Sequence, residues 1–197
     1  MINNPSAVNA QKLTDDFSIE IVRNSHKARK EVEAFIKKSY EENFNAQLDS
    51  FFPKILTLRN KQNNQLVAAV GMRNAARETL FSECYLEKSI EQTISTLENT
   101  LTTRSKILEF GNFVVTDKKE IPAVIMALGK FIKTMDVDWA IYTLTHPIKK
   151  YFERLSIALT FINAASIEKV NGAAKNWGRY YNFKPAVYYS SIKHNLV

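Results

Sequence analysis

The chain has 197 residues, a formal net charge of +7 and a single cysteine, and 45% of its residues are hydrophobic. This composition predicts one domain with a sizeable core over residues 15–197, after a polar, flexible N-terminal segment at residues 1–14. No apolar run reaches the roughly 18 residues of a membrane helix, no secretory signal is recognisable, and the lone Cys84 excludes an intrachain disulfide. A cytoplasmic bacterial protein is therefore the expectation.

The first half of the chain combines strand and helix patterns. Alternation predicts an opening strand, and apolar residues at helical spacing predict a following helix with Ser25 as its cap. Asn63 and Asn64 predict a tight turn between two strands, because asparagine tolerates positive φ. The predicted elements are the strand Phe17–Val22, the helix Ala28–Tyr40, the strands Lys54–Arg59 and Gln65–Met72, the extended piece Leu80–Tyr85 and the helix Ser89–Leu97.

The second half alternates strands with helices. A strand, a helix and a parallel neighbouring strand form a βαβ unit, whereas the hairpin before it is antiparallel. The predicted fold class is therefore α+β, with a central mixed β-sheet flanked by helices. The predicted elements are a central strand at Lys106–Val115, a helix from Pro122 to about Met135, the strand Trp139–Leu144 and a short helix from His146 to Leu155, before loops and strands up to Tyr189.

The basic residues are unevenly distributed. From His146 onward, eight lysines and arginines stand against two acidic residues. Such a segment predicts an anionic partner: a phosphorylated cofactor, an acidic carrier protein, anionic lipid or nucleic acid. The alternative is a solvated surface without a specific partner.

Two glutamates interrupt runs that otherwise read as buried strand. Glu83 lies in the apolar run Leu80–Leu86, and Glu109 lies with Asn112 in the run Ile107–Val115. Burying a charged carboxylate in an apolar strand costs on the order of several kcal/mol of folding free energy, unless it is paired or protonated. Such residues indicate a functional site, and the alternative is a pair of strand-edge glutamates that face water.

A combination of segments points to a known family. They are VAAVGMR (Val67–Arg73), LFSECYLEKSIE (Leu80–Glu91), LEFGN (Leu108–Asn112), the run Ala123–Thr145, FERLSI (Phe152–Ile157) and WGRYY (Trp177–Tyr181). With these segments the chain resembles the thermostable hemolysin family, a GNAT-like group. The resemblance implies a GNAT-like fold, distantly similar to acyl-homoserine-lactone synthases. It also implies acyl transfer from a thioester to an amine or hydroxyl, although fold alone does not determine function.

The resemblance implies a donor site at the central strand and the turn that follows it. GNAT enzymes bind the pantetheine arm along this strand and the pyrophosphate at the next helix start, where backbone amides favour anions. Glu120 and Ile121 occupy glycine positions of the usual cradle, and Pro122 lacks an amide donor, so two lysines would replace the lost contacts or form a solvated turn. The implied donor-binding residues are Asn112, Phe113, Val115, Lys118 and Lys119.

The implied donor is acyl-CoA or acyl carrier protein, without a tightly bound cofactor. The basic C-terminal region suits the acidic surface of a carrier protein. Phe152 stands where GNAT enzymes often place a tyrosine as general acid, and the adjacent Tyr151 lies about 100° further round the helix.

Glu109 is the implied general base, because similar enzymes place a base on this strand and an apolar setting raises a carboxyl pKa. Glu83 is the second candidate, or it pairs with Arg73. Strict alternation would point Glu109 and Asn112 to opposite faces, so a β-bulge near Gly111 is needed to bring them together.

The remaining candidates have structural alternatives. Arg73, Tyr85, Trp177 and Tyr181 could bind substrate, with core packing as the alternative for the aromatic residues. Cys84 is either a nucleophile or a small buried hydrophobe. The histidines show no metal-ligand spacing, and the basic region matches no nucleic-acid-binding module. Besides an acyltransferase, the open functions are a membrane-acting haemolysin and a non-catalytic ligand-binding domain.

Overall fold

One mixed sheet organises the fold. The computed structural model describes residues 16–170 and 174–193, and the predicted N-terminal segment 1–14 lies outside them. Within these residues the strands are β1 (Phe17–Arg23), β2 (Lys54–Asn60), β3 (Leu66–Asn74), β4 (Ile107–Val115), β5 (Trp139–Leu144), β6 (Thr160–Ala164) and β7 (Ala186–Ser191). Their order in the sheet is β1-β2-β3-β4-β5-β7-β6. The pair β4 and β5 is parallel, and every other neighbouring pair is antiparallel.

Two helices cover each face of the sheet. Because side chains alternate along a strand, Ile107 of β4 packs with the second helix while Leu108 packs with the third. Val114 likewise packs with the first helix, and Val115 packs with the third and fourth. The helices, in chain order, are α1 (Arg29–Phe44), α2 (Ile90–Glu98), α3 (Ile121–Ile132) and α4 (His146–Arg154).

The α+β class and the mixed sheet predicted from the sequence are confirmed. The strand Trp139–Leu144 has its predicted bounds, and the helix at His146 begins where expected. Asn64 has a φ of 56°, which supports the predicted turn between β2 and β3. The remaining helices and strands differ from the prediction by a few residues at their ends.

Two local predictions are wrong. Leu80–Tyr85 is not extended, because residues 81–85 form a 3₁₀ helix, and the Glu83 carboxylate accepts the Leu80 N–H at 2.8 Å at its start. Ser25 does not cap α1, which begins three residues after His26, whose ring accepts the Ala28 N–H. Helix α3 ends at Ile132, three residues before the predicted end, where the Thr134 hydroxyl donates to the carbonyl of Phe131.

The predicted β-bulge lies in β4. Gly71 pairs with Gly111 and Ala69 pairs with Val114, so two residues of β4 oppose one residue of β3. Asn112 takes up the extra length with a φ of 50°. Pairing between β4 and β5 ends at Phe110 and Tyr142, and the two strands diverge beyond that point.

Candidate active site

A cleft of about 670 Å³ opens where β4 and β5 diverge. Tyr40 and Trp177 line it on the α1 side of the sheet, and Ile125 and Phe152 line it on the α3 side. The cleft therefore passes between the strands and joins the two faces. Backbone groups of β4 and β5 that face one another here have no ladder partner from the other strand, and a ligand amide could pair with them.

Glu109 lies in the wall of this cleft and is 1% exposed. Its carboxylate accepts the N–H of Phe81 at 2.9 Å and the N–H of Ser82 at 2.6 Å. The Arg73 guanidinium lies 3.4 Å away. Burial raises the pKa of Glu109 above its ordinary value, against the opposing effects of the Ser82 amide, the Arg73 charge and the Phe81 amide.

The bulge places Asn112 on the same side of the sheet as Glu109. Burial raises the pKa of Tyr40 to about 12, against a smaller opposing effect of the Asn112 side chain. Both residues line the cleft, as do the predicted donor-binding residues Phe113 and Val115. The bulge therefore brings Glu109 and Asn112 together on one side of the sheet, as predicted.

Arg73 is positioned by an aromatic ring that the sequence analysis did not select. The guanidinium lies 4.1 Å above the Phe52 ring, which itself lies over Gly71 and Gly111. A Cβ atom at either glycine would approach that ring to within 2.6 Å. The paired glycines therefore let Phe52 pack beside the cleft, and a repeated glycine on neighbouring strands is the signal in the sequence.

The structure separates Glu83 from the cleft. Its carboxylate pairs with Arg104 at 2.7 Å, not with Arg73 as proposed from the sequence, and both partners border a separate surface depression. Arg73 instead contacts Glu109 and Glu78. Burial would raise the pKa of Glu83, but hydrogen bonds from Arg104 and from the Ile90 and Leu80 amides outweigh it, and the pKa is lowered.

The turn after β4 uses its own amide donors. The N–H of Lys119 donates to Asp117 Oδ1 at 2.9 Å, and the N–H of Glu120 donates to the Asp117 carbonyl at 3.0 Å. The Ile121 N–H donates to the carbonyl of Lys118, and Pro122 has no N–H. These groups therefore do not form the backbone phosphate cradle of a GNAT enzyme. Lys118 lines the cleft, whereas Lys119 does not.

The aromatic candidates divide into two groups. Tyr85 and Trp177 line the cleft, whereas Tyr181 is not among the residues that line it. The Tyr181 hydroxyl lies 2.7 Å from that of Tyr85, and burial raises the pKa of both. Cys84 is exposed, so its interpretation as a small buried hydrophobe is wrong.

The α3 side of the cleft is aliphatic and elongated. Cleft-lining residues recur on one face of α3, and the stripe spans about 16 Å at 1.5 Å per residue. Phe152 of α4 closes the side of this lobe and packs on Tyr142, with ring centroids 5.2 Å apart. The stripe consists of Ile121, Ile125, Leu128, Gly129 and Ile132. We call this part of the cleft the aliphatic lobe.

Thr143 offers an unused polar group in the cleft. Its Oγ1 is buried and has no hydrogen-bond partner in the structure, and the residue lies on β5 just beyond the point of divergence. A buried hydroxyl without a partner is costly, and a bound ligand would relieve that cost. Nothing in the sequence distinguishes this threonine from its neighbours.

A Thr143→Val variant is expected to fold at least as stably as the wild type and to bind its substrate less well. Loss of one hydrogen bond predicts about a 2- to 12-fold lower kcat/KM. Thr102→Val is the matched control, since the Thr102 hydroxyl is also buried without a partner but lies outside the cleft. Equal kinetics for both variants would remove Thr143 from the site. Thermal unfolding and steady-state kinetics give the two readouts.

The family assignment follows from a comparison over most of the chain. The family model described as Thermostable hemolysin matches residues 22–196. The protein belongs to the thermostable hemolysin family. No curated protein matches the chain by sequence. The family resemblance inferred from the sequence segments is thus confirmed.

Solved structures similar to this thermostable hemolysin family member share its fold. FeeM, an N-acyl amino acid synthase from uncultured soil microbes, is 11% identical with a TM-score of 0.58, covering 90% of this chain and 93% of that chain. The acyl-homoserine-lactone synthase LasI is 11% identical with a TM-score of 0.56, covering 89% and 90%. BjaI, a CoA-dependent synthase solved with SAM and isopentyl-CoA, is 10% identical with a TM-score of 0.54, covering 90% and 84%. The predicted GNAT-like fold is confirmed.

No helix in residues 16–170 and 174–193 is both long and apolar enough to cross a membrane. Within the same residues, no group of three histidine, cysteine or acidic side chains is arranged to hold a metal ion.

Proposed function

We propose that this protein transfers an acyl group from a thioester donor to an amine or hydroxyl acceptor. The observation that carries the proposal is the cleft through the sheet, which joins the buried Glu109 carboxylate to an aliphatic lobe. A base beside an enclosed apolar space suits the transfer of an acyl chain. The fold shared with acyl-transferring synthases supports this reaction class.

Glu109 is the proposed base. It accepts a proton from the acceptor nitrogen or oxygen as that atom forms a bond to the thioester carbonyl carbon. The carbon–sulfur bond then breaks, and the thiolate leaves and takes a proton from water. Glu109 returns its own proton to the hydroxide that remains. Burial suits the role, because it raises the pKa of Glu109 towards the range in which a carboxylate accepts a proton efficiently.

The acyl group is proposed to be a long aliphatic chain. The stripe on α3 extends the aliphatic lobe for about 16 Å, far more than an acetyl group needs. Isoleucine and leucine side chains dominate this stripe, so an extended hydrocarbon would bury its methylenes against them. The aromatic and polar side of the cleft, with Tyr40, Asn112 and Trp177, is left for the acceptor.

Acyl carrier protein is the proposed donor. The amides of Lys119, Glu120 and Ile121 are engaged within the turn, which leaves the pyrophosphate of CoA without its usual backbone donors. A carrier protein presents a single phosphate, which the Lys118 side chain at the cleft could meet. The basic C-terminal region also suits its acidic surface.

Matched acyl-CoA and acyl carrier protein donors are therefore expected to differ, with the higher kcat/KM for the carrier protein. The carrier-protein rate should fall as salt rises, since screening weakens attraction between exposed charges. Lys118→Gln should lower this rate, and Lys119→Gln serves as control because Lys119 does not line the cleft. Equal efficiency with both donors, independent of salt, would contradict the assignment.

The experiment for the reaction class uses purified protein with an acyl carrier protein, an acyl-CoA and a panel of amines and alcohols. Mass spectrometry detects the acylated product, and a thiol reagent detects thiol release. Thermal shift gives binding separately, since a donor at 100 times its Kd should stabilise the fold by about 2.7 kcal/mol. If no donor gives a product and no donor stabilises the fold, the proposal is overturned and Glu109 is structural.

The family description favours a second candidate, direct action on membranes. Purified protein would then release dye from liposomes without an acyl donor. Release that depends on donor and acceptor would instead indicate a surface-active product of acyl transfer. Release by the Glu109→Gln variant at the wild-type rate would favour direct action.

A further inference from the structure

Arg104 binds both ends of residues 75–91, the segment whose 3₁₀ helix contacts Glu109. Its Nε donates to the carbonyl of Ala75 at 2.7 Å, and its Nη2 donates to the carbonyl of Glu78 at 3.4 Å. Its Nη1 donates to Glu83 at 2.7 Å and to Glu91 at 2.6 Å. One guanidinium therefore joins the end of β3 to the start of α2.

Glu83 completes this connection from within the same segment. One carboxylate oxygen accepts the Leu80 N–H at 2.8 Å, before the 3₁₀ helix, and the other accepts the Ile90 N–H at 3.0 Å, at the first residue of α2. The carboxylate thus satisfies two helix-start amides and a charged partner at once. We call Glu83 and Arg104 together the Glu83–Arg104 clamp.

The clamp holds the two amides that contact the proposed base. Phe81 and Ser82, whose N–H groups donate to Glu109, follow directly after Leu80, which Glu83 binds. Phe81, Ser82 and Glu83 lie in the same turn of 3₁₀ helix, so a shift of Glu83 moves the two amides with it.

We propose that Glu83 and Arg104 are positioning residues, which hold the Phe81 and Ser82 amides against Glu109 and so set the protonation equilibrium of the base. The inference rests on the proposed function for its consequence in catalysis. Neither residue touches the cleft, so neither is a catalytic residue. Hydrogen bonds from amides favour the charged form of a carboxylate, and their loss favours the protonated form.

Other charged and titratable groups act on Glu109 as well. Arg73 of β3 lies 3.4 Å from it and favours its charged form, and Glu78 contacts Arg73 from the loop. Cys84 lies in the same 3₁₀ helix, and its thiol interacts electrostatically with Glu109. Arg104 also binds the Glu78 carbonyl, and Cys84 follows Glu83 in the 3₁₀ helix, so the clamp contacts these two groups as well. Arg73 is held separately, over the Phe52 ring.

The test measures the protonation of Glu109 directly, in the absence of substrate. Isotope-edited infrared or carbon-13 NMR spectra of labelled protein follow the carboxyl group through a pH titration, with Glu109→Gln to assign its signal. In Arg104→Met and in Glu83→Gln, we expect the Glu109 midpoint to move upward by about one pH unit, a tenfold change in its protonation equilibrium. Where activity is measured, the acidic limb of kcat/KM should move by the same amount.

Arg59→Met is the matched control. Arg59 also joins a carboxylate, Glu31 at 2.7 Å, to a backbone carbonyl, that of Asn64 at 3.1 Å, but it lies outside the cleft and the clamp. It should leave the Glu109 midpoint unchanged. If Arg104→Met fails to fold, Arg104→Lys is the substitute, because lysine keeps the charge but cannot reach all the acceptors that the guanidinium binds. A smaller upward shift of the Glu109 midpoint is then expected.

The outcomes separate the two proposals. A wild-type Glu109 midpoint in folded clamp variants would overturn the positioning role, whatever the activity. A shifted midpoint in a protein that transfers no acyl group would support the clamp and overturn the proposed function. A purely structural role predicts lower thermal stability without movement of the midpoint.

Discussion

Replacing Glu109 with glutamine is expected to lower kcat by about 10²- to 10⁴-fold, the usual contribution of a general base. The wild-type kcat/KM should rise with pH through a midpoint above the ordinary value for a glutamate, because burial raises the Glu109 pKa and the charged form is the base. This acidic limb should be absent from the variant. A pH series of steady-state kinetics checks both expectations.

The structure predicts a second effect of this variant, on stability. The Glu109 carboxylate accepts two backbone N–H groups, and a glutamine would direct its own NH₂ at one of them. An unsatisfied buried donor costs about 1–3 kcal/mol, so the variant should also unfold more easily.

A stability-matched control separates the two effects. Tyr189→Phe removes a partly buried hydrogen bond to Glu98, at 2.6 Å, and Tyr189 does not line the cleft. This control should lose stability by a similar order while it keeps its turnover. If Glu109→Gln retains turnover at a temperature where it is folded, Glu109 is a structural anchor and the assigned base is wrong.

Replacing Gly129 with leucine is expected to shorten the acyl chain that the protein prefers. Gly129 is the point on the α3 stripe where the helix adds no side chain to the aliphatic lobe. A leucine there would occupy the space of two or three methylenes, each worth about 0.8 kcal/mol when buried. The kcat/KM for the longest accepted chain should therefore fall by about 10- to 60-fold, with little change for short chains.

The measurement is a profile of kcat/KM across saturated donors from acetyl to palmitoyl. Gly129→Ala should give a smaller shift in the same direction and raise stability, because glycine inside a helix is less favourable than alanine by about 0.5–1 kcal/mol. Lys130→Leu is the positional control, since it places the same side chain on the exposed side of α3. An unchanged profile in Gly129→Leu would show that the acyl chain lies elsewhere.

Much of the fold follows from local patterns in the sequence. Alternation in β1, the bounds of β5 and the asparagines at turns could be predicted, because periodicity and backbone preference depend on neighbouring residues. The need for a bulge beside Gly111 could also be inferred, because the side-chain period of a strand forbids Glu109 and Asn112 on one face without it.

The two glutamates show where this reasoning fails. Glu83 and Glu109 both interrupt apolar runs, and nothing in the runs tells which glutamate has which partner. Glu83 joins Arg104, 21 residues further along the chain, and thereby turns a predicted extended segment into a 3₁₀ helix. Glu109 in turn accepts amides of that helix, 28 and 27 residues away.

The sequence by itself determined the family, the mixed α+β sheet and the segment in which the candidate base lies, because these depend on motifs and on short-range periodicity. Tertiary structure alone decided that Glu109 borders the cleft while Glu83 does not. It alone showed that β4 and β5 diverge after Phe110 and Tyr142, and that Gly129 and Thr143 line the space between the helices and the strands. A cleft is a gap between elements distant in the chain, so it arises from their packing and leaves no periodic signal in any one of them.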